Sequence, residues 1–303
     1  MKERAPGAGK SWGGMGRFGR RTRLGVAAAL VSVLAAGAGR GAAHAGPAAP
    51  APVGIMPLGD SITYGMTAPE TATPGGYRGY LADDLAAAGL SWSYIGSSAD
   101  NPPLGADPSR YHHEGHPGYR VDQVAADLDG PDPNAGGGYW LTGTGPRPPA
   151  RPQVVVLHIG TNDIAQAYDP AGRYPGGYDG TDPGQRAEFV DHLADRLQGL
   201  LGKLVRTDRG VRIVLCTIAP MGTAYWDPTA HAYDDAIRYR VVPWERARGV
   251  RIVLADVEAA FLSGGPGSYH EYVGPDGVHP TPLGYRTMAD TVAPAVRAVL
   301  RPY

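Results

Sequence analysis

Residues 53–65 read VGIMPLGDSITYG, a short apolar run that leads into Gly59-Asp60-Ser61. The run predicts a buried β-strand over residues 53–58, and the polar residues after it predict a turn. A serine just past the end of a strand is held by a rigid sheet and still faces solvent, which is the position that a nucleophile needs. Gly-Asp-Ser is also ordinary turn chemistry, so the rest of the chain must supply a base, a group that orients it and an oxyanion hole.

The first 45 of the 303 residues follow an export pattern. A basic stretch comes first, an Ala-, Val- and Leu-rich run follows over residues 24–39, and Ala43-His44-Ala45 completes a small-residue cleavage pattern. The apolar run is too short for a membrane span. The pair Arg20-Arg21 is compatible with twin-arginine export as well as with the general secretory pathway. We therefore predict a secretory signal peptide over residues 1–45, an Ala/Pro-rich leader over 46–52 and a single secreted domain over 53–303.

The charge of the chain changes once the predicted signal is set aside. Residues 1–45 hold eight Lys or Arg and one Glu, and the whole chain has a net charge of −1, so residues 46–303 carry a net charge of −8. An acidic domain without a basic amphipathic helix predicts neither a nucleic-acid partner nor membrane association. The single cysteine, Cys216, lies in an apolar run and is expected to be a buried strand residue, with no intramolecular disulfide possible.

Strand and helix patterns alternate through the rest of the chain. Further strands are predicted over residues 92–95, 154–159, 211–218 and 250–257, and helices over 77–88, 121–128, 189–204, 233–248 (interrupted by Pro243) and 285–299. Such alternation predicts a parallel sheet covered by helices on both faces, with the active site at the carboxyl ends of the strands. Two long loops, 131–152 and 165–185, exceed the usual length and are expected to serve function.

Polar motifs follow the other predicted strands. Gly160-Thr161-Asn162-Asp163 follows the third strand, and the amide of Asn162 is suited to an oxyanion hole, although an Asx turn uses the same residues. Gly118, just before a helix, is a second possible donor or a plain loop glycine. Asp276 and His279 follow the fifth strand, where a carboxylate can fix the imidazole tautomer. Each motif alone has a structural interpretation, but their joint order along one sheet edge predicts nucleophilic catalysis.

Several other polar residues near these strand ends are expected to be structural. Asp60 and Asp163 are interpreted as hydrogen-bond acceptors that fix loops, and His158 as a satisfied core histidine. One short stretch also has the composition of a metal cluster, formed by His112, His113, Glu114 and His116. Its Gly and Pro residues break the helix that a zincin-type site requires, so a metal there is a minority alternative.

Taken together, these residues resemble an SGNH hydrolase of the GDSL esterase/lipase superfamily. The matching residues are Gly59-Asp60-Ser61-Ile62-Thr63, Gly118, Gly160-Thr161-Asn162-Asp163 and Asp276-Gly277-Val278-His279-Pro280. The resemblance implies a flavodoxin-like three-layer α/β/α sandwich with a five-stranded parallel sheet. It implies Ser61 as nucleophile, His279 as base and Asp276 as its orienter. The implied oxyanion hole consists of the Ser61 and Gly118 N–H groups and the Asn162 side chain, with Gly115 as an alternative to Gly118.

Within that superfamily, the stretch HEGHPGYR at residues 113–120 is similar to carbohydrate esterase family three, which includes secreted acetylxylan esterases. This resemblance implies a secreted serine esterase. Its mechanism needs no metal or organic cofactor, and we expect the protein to be a monomer. Its expected substrates are acetylated plant polysaccharide or short-chain acyl esters, and the Tyr-rich loop at 165–185 suits stacking on sugars. A lipase or lysophospholipase with the same triad is the main alternative, and a non-catalytic carbohydrate-binding protein is the third.

Overall fold

Residues 51–302 are described in the computed structural model, except residues 69, 70, 132–136, 146, 224, 225 and 266. The predicted signal peptide lies outside the described residues, and so does the predicted leader apart from Ala51 and Pro52. All described residues belong to one compact unit, Ala49–Tyr303. Within this part of the chain, no helix has the length and apolar character needed to cross a membrane.

The centre of the fold is a parallel sheet with the strand order β4-β1-β6-β7-β8. The strands in chain order are β1 (Val53–Gly59), β2 (Met66–Thr67), β3 (Thr71–Ala72), β4 (Trp92–Tyr94), β5 (Glu114–Gly115), β6 (Val154–His158), β7 (Arg212–Cys216) and β8 (Ile252–Ala255). The short β5 also pairs with β1 in parallel, and β2 and β3 form a separate antiparallel hairpin. The five long strands have the order of the flavodoxin-like fold, which confirms the predicted fold class.

Helices follow the strands as the alternating pattern predicts. They are α1 (Ser61–Tyr64), α2 (Gly76–Ala87), α3 (Val121–Asp129), α4 (Thr161–Ala165), α5 (Pro183–Thr207), α6 (Asp227–Ala236), α7 (Val242–Ala247), α8 (Val257–Phe261) and α9 (Pro282–Leu300). The short helices α1 and α4 begin directly after β1 and β6. Sequence periodicity did not reveal them because a single helical turn is too short to show a repeat.

The two faces of the sheet build two separate apolar cores. Side chains alternate along each strand, so Met56 and Leu157 pack with residues of α3 and α5, whereas Ile55 and Val156 pack with residues of α2 and α9. Strands covered on both sides read as continuous apolar runs, which is why 154–157 is all Val and Leu. The result is the predicted three-layer arrangement.

The helix predicted over residues 233–248 differs from the structure. The helical segment already begins at Asp227, because Pro228 suits a first helical turn in which N–H groups have no partner. A π-helical stretch, Ile237–Val241, then leads into α7, which has Pro243 in its first turn. Pro243 has no N–H to offer the preceding turn, and the wider π-turn continues the segment instead of ending it.

Cys216 is the last residue of β7 and is buried, as its apolar surroundings predict. Burial in the apolar layer raises the pKa of its thiol to about 12. The thiol is therefore uncharged and has no nucleophilic character.

The strand order places a topological switch point at β1. Its neighbours β4 and β6 lie on opposite sides of it. Helix α2, which follows β1, packs on one face of the sheet, and α3, which precedes β6, packs on the other. In such sheets a crevice opens at the carboxyl end of the strand where the order reverses. Ser61 stands at this point.

Candidate active site

Ser61 is the first residue of α1, two residues beyond β1. Asp60 caps this helix, and its Oδ1 accepts a hydrogen bond from the N–H of Ile62 at 2.9 Å. The N–H groups of a first helical turn have no partner within the helix, so the Ser61 N–H is available to a ligand. The local sequence therefore presents a hydroxyl and a backbone donor from one residue.

A chain of hydrogen bonds joins the three residues predicted as a triad. His279 Nε2 lies 2.9 Å from Ser61 Oγ, and His279 Nδ1 lies 2.6 Å from Asp276 Oδ2. The other carboxylate oxygen of Asp276 accepts the N–H groups of Val278 and His279, both at 3.0 Å. This turn holds the carboxylate and the imidazole in one rigid unit.

The protonation state of Asp276 sets the tautomer of the imidazole. Partial burial raises the pKa of Asp276, but the hydrogen bonds from His279 and the Val278 N–H outweigh it, and the pKa ends below its usual value. An ionised carboxylate accepts the Nδ1 proton, which leaves Nε2 as the acceptor for the Ser61 hydroxyl. The arrangement therefore suits Nε2 as a general base.

Gly118 lies in a tight turn beside this assembly. The Tyr119 N–H donates to the His116 carbonyl at 3.1 Å, Pro117 takes the second position of the turn, and Gly118 has φ +81° at the third. These are the features of a type II turn, which needs glycine at the third position. The preceding β5 pairs with β1, and a Cβ on Gly115 would lie 2.5 Å from the Tyr64 nitrogen, so the segment abuts α1.

Gly115, the alternative donor, is occupied differently. Its N–H donates to His113 Nδ1 at 3.0 Å. A donor committed to a buried ring nitrogen does not serve an oxyanion, so the geometry favours Gly118. Asn162, the third predicted donor, lies in α4 and its Nδ2 donates to the Tyr119 carbonyl at 3.0 Å, which ties it to the same turn.

The four residues with a metal-like composition, His112, His113, Glu114 and His116, form hydrogen bonds within the fold. Glu114 is buried and accepts from the N–H and the hydroxyl of Ser97, at 2.5 and 2.8 Å, and it bonds His116 Nε2 at 2.9 Å. The His116 ring stacks between Tyr119 and Trp140, with centroids 4.9 and 4.7 Å away. Among the described residues, no group of three or more His, Cys, Asp or Glu side chains could hold a metal ion.

Asp60 and His158 form a buried polar pair beneath Ser61. Burial raises the pKa of Asp60 to about 7 and lowers the pKa of His158 to about 4. Both side chains are fully buried, and Nδ1 of the histidine lies 4.0 Å from Oδ1 of the aspartate. His158 is thus a core residue as predicted, but it is not a satisfied one, because neither ring nitrogen has a hydrogen-bond partner among the described residues.

Arg78 is a residue of the site region that sequence reasoning missed. It is fully buried in α2 and donates to four backbone carbonyls, those of Thr63, Tyr64, Asn101 and Tyr111, at 2.9 to 3.1 Å. Two of these carbonyls belong to the end of α1, where a cation is favourable. No local signal reveals this role, because the partners lie in three separate segments of the chain.

A serine, a histidine and a carboxylate that are joined at the switch point of a parallel α/β sheet form an arrangement suited to hydrolysis by a nucleophilic serine. The sequence model of the GDSL-like Lipase/Acylhydrolase family matches residues 58–287. The chain belongs to this family.

Known proteins with similar sequence or fold include several esterases. A multidomain esterase from Ruminococcus flavefaciens is 25% identical over 253 residues, which cover 77% of this chain and 27% of that relative. The chain therefore spans about a quarter of the length of this curated relative. A family 3 carbohydrate esterase from Clostridium thermocellum is 22% identical with a TM-score of 0.59, over 83% of this chain and 98% of that chain. A carbohydrate esterase family 3 protein from Talaromyces cellulolyticus is also 22% identical, with a TM-score of 0.56 over 82% and 98%. These two structures share the fold of this chain.

Proposed function

We propose that this protein is a serine esterase that removes short acyl groups, acetyl above all, from carbohydrate. The observation that carries the catalytic part is the hydrogen-bond chain from Ser61 Oγ through His279 to Asp276. The carbohydrate part is supported by the HEGHPGYR stretch and by the names of the two structural neighbours, both of which are family 3 carbohydrate esterases.

The proposed reaction begins with His279 Nε2 as the acceptor of the Ser61 proton. Ser61 Oγ attacks the ester carbonyl carbon while its proton passes to His279 Nε2, and the carbonyl oxygen becomes an oxyanion. The Ser61 and Gly118 N–H groups and the Asn162 amide donate to that oxygen, and each such donor contributes on the order of 10²–10³ in rate. Collapse of the intermediate breaks the bond to the alcohol, which takes the proton from His279 as it leaves.

Water completes the cycle. His279 accepts a proton from a water molecule as that water attacks the acyl group on Ser61. The second tetrahedral intermediate releases the carboxylic acid, and the proton returns from Nε2 to Ser61 Oγ. Asp276 stabilises the imidazolium in both halves without taking its proton.

Acetate release is the direct test. Purified protein should release acetate from acetylated xylan and from small acetyl esters, and Ser61→Ala should abolish turnover while it leaves the fold intact. A series of esters with increasing acyl length should show activity that falls from acetyl towards long chains. Activity that rises with chain length would instead identify a lipase, and retained turnover in Ser61→Ala would exclude the triad.

We also propose that the protein is exported by way of residues 1–45. The basic, apolar and small-residue parts occur there in the order of a signal peptide. Expression of the full chain in a secreting host should yield protein in the medium whose first residue follows Ala45. Intact chain that remains in the cell would refute export by this segment.

A further inference from the structure

The turn that carries Gly118 is held by side chains of α4 and its C-cap. Gln166 Nε2 donates to the Gly118 carbonyl at 3.0 Å, and Asn162 Nδ2 donates to the Tyr119 carbonyl at 3.0 Å. The N–H of Val121 donates to Asp163 Oδ2, also at 3.0 Å. Two side chains from this short helix and one from its C-cap thus bind three backbone groups within a segment of four residues.

Asp163 adds a second cap to α3, whose own Gln123 Oε1 accepts only the Arg120 N–H, at 3.0 Å. The residue before this helix is Arg120, whose side chain has no oxygen to accept the free N–H groups of the first turn. Asp163 accepts the N–H of Val121 from another helix and brings a carboxylate to the positive end of α3. A distant residue therefore performs the function that Ser, Thr, Asp or Asn usually performs in sequence.

The carboxylate of Asp163 is fixed on its other side as well. Its Oδ1 pairs with Arg196 Nη2 of α5 at 3.1 Å, and the Asp163 side chain is fully buried. Because both oxygens are engaged, the carboxylate cannot turn away from Val121. The position of the turn is thereby tied to α4 and to α5, which packs on this face of the sheet.

We propose that Asp163 and Gln166 are positioning residues of the oxyanion hole. They hold the backbone of residues 118–121, so they set the direction of the Gly118 N–H, and Asp163 also fixes the turn of α4 from which Asn162 projects. Hydrogen-bond donors stabilise an oxyanion only when they lie about 2.7–3.1 Å from it, so a small displacement of the turn weakens two of the three donors. This inference rests on the proposed function, because it assumes that Gly118 and Asn162 bind the oxyanion.

The test compares Asp163→Ala and Gln166→Ala with two control variants. Asp195→Ala removes an exposed aspartate that pairs with Arg240, and Gln198→Ala removes a half-buried glutamine of α5. A displaced donor costs less than a deleted one, so kcat for acetyl ester hydrolysis should fall by about 10- to 100-fold in Asp163→Ala and by about 3- to 10-fold in Gln166→Ala. KM should change by less than about twofold, since the oxyanion exists only after attack. Both control variants should keep the kcat of the wild type.

A tetrahedral adduct separates positioning from a merely structural role. The affinity for a boronic acid that forms such an adduct with Ser61 should fall in parallel with kcat/KM in the Asp163 and Gln166 variants. Circular dichroism should show that each variant is folded, and the exposed Gln166 keeps the test decisive if Asp163→Ala does not fold. The inference would be overturned if the folded Asp163 and Gln166 variants kept the kcat and the boronic acid affinity of the wild type. If Ser61→Ala retains turnover, it is instead the proposed function that fails.

Discussion

Asp60→Asn isolates the buried carboxyl group beside the nucleophile. Asparagine has nearly the same shape, and its Oδ1 can still accept the Ile62 N–H that caps α1, so the helix should keep its start. The variant has no group to ionise at this position. The substitution therefore removes the electrostatic cost of an ionised, buried carboxylate and leaves the local geometry in place.

The magnitude follows from the pKa of Asp60. Burial raises that pKa from 3.8 to about 7, so the contribution of this group to stability is fully present below pH 3.8 and is lost as the pH rises towards 7. Linkage then predicts that the wild type loses roughly 2–3 kcal/mol of stability relative to the variant between pH 5 and pH 8. The free energy of unfolding of Asp60→Asn should consequently increase relative to that of the wild type as the pH rises.

Urea unfolding at pH 5, 6, 7 and 8 measures this difference directly. Comparison of the two proteins at each pH cancels the other titrating groups that they share, including most of the contribution of His158. Asp83→Asn, an exposed substitution on α2, provides the control for loss of one negative charge. A difference between wild type and Asp60→Asn that stays constant from pH 5 to pH 8 would refute the assignment of a raised pKa to Asp60.

Three further substitutions test the site geometry. Asp276→Asn should lower kcat by about 10³- to 10⁴-fold in an ester hydrolysis assay, because the amide no longer fixes the His279 tautomer; near-normal turnover would contradict that role. Asn162→Ala should lower kcat by about 10²- to 10³-fold with little change in KM, and a loss confined to KM would argue against an oxyanion donor. Gly160→Ala places a Cβ 2.4 Å from the Tyr233 ring at a φ of +124°, so thermal unfolding should show a destabilisation of more than about 2 kcal/mol.

The sheet was predictable because its strands carry local signals. The all-apolar run of β6 and the amphipathic length of α5 identify a buried strand and a covering helix without knowledge of their neighbours. The boundaries were less accurate: β7 and β8 are shorter than the predicted runs, because apolar residues such as Val211, Ile218 and Val257 lie beyond the strand ends. The two-residue β5 is too short to carry a periodic signal, so the sequence does not reveal it.

The candidate site was predictable only where its residues form short motifs at strand ends. Asp276 and His279 are three residues apart, so their contact could be inferred from the sequence. Arg78 and Asp163 act on backbone groups 14 to 42 residues away, and the sequence shows no pattern that links such partners. The supporting contacts of the site thus depend on the tertiary fold, which no single-sequence pattern encodes.

Cys216 provides a built-in reporter of the opening of this fold. It is the only thiol of the chain, and it lies at the end of β7, with β6 and β8 on either side. A thiol that is both buried and uncharged reacts with a labelling reagent only after the surrounding strands separate. The rate of labelling under native conditions therefore measures how often the middle of the sheet opens, with no need for an engineered probe. Ser61 and His279 are 218 residues apart in sequence, and their contact depends on the folded sheet. The rate of Cys216 labelling can therefore be compared with the rate at which activity is lost. The comparison would show whether this pair separates before the sheet opens.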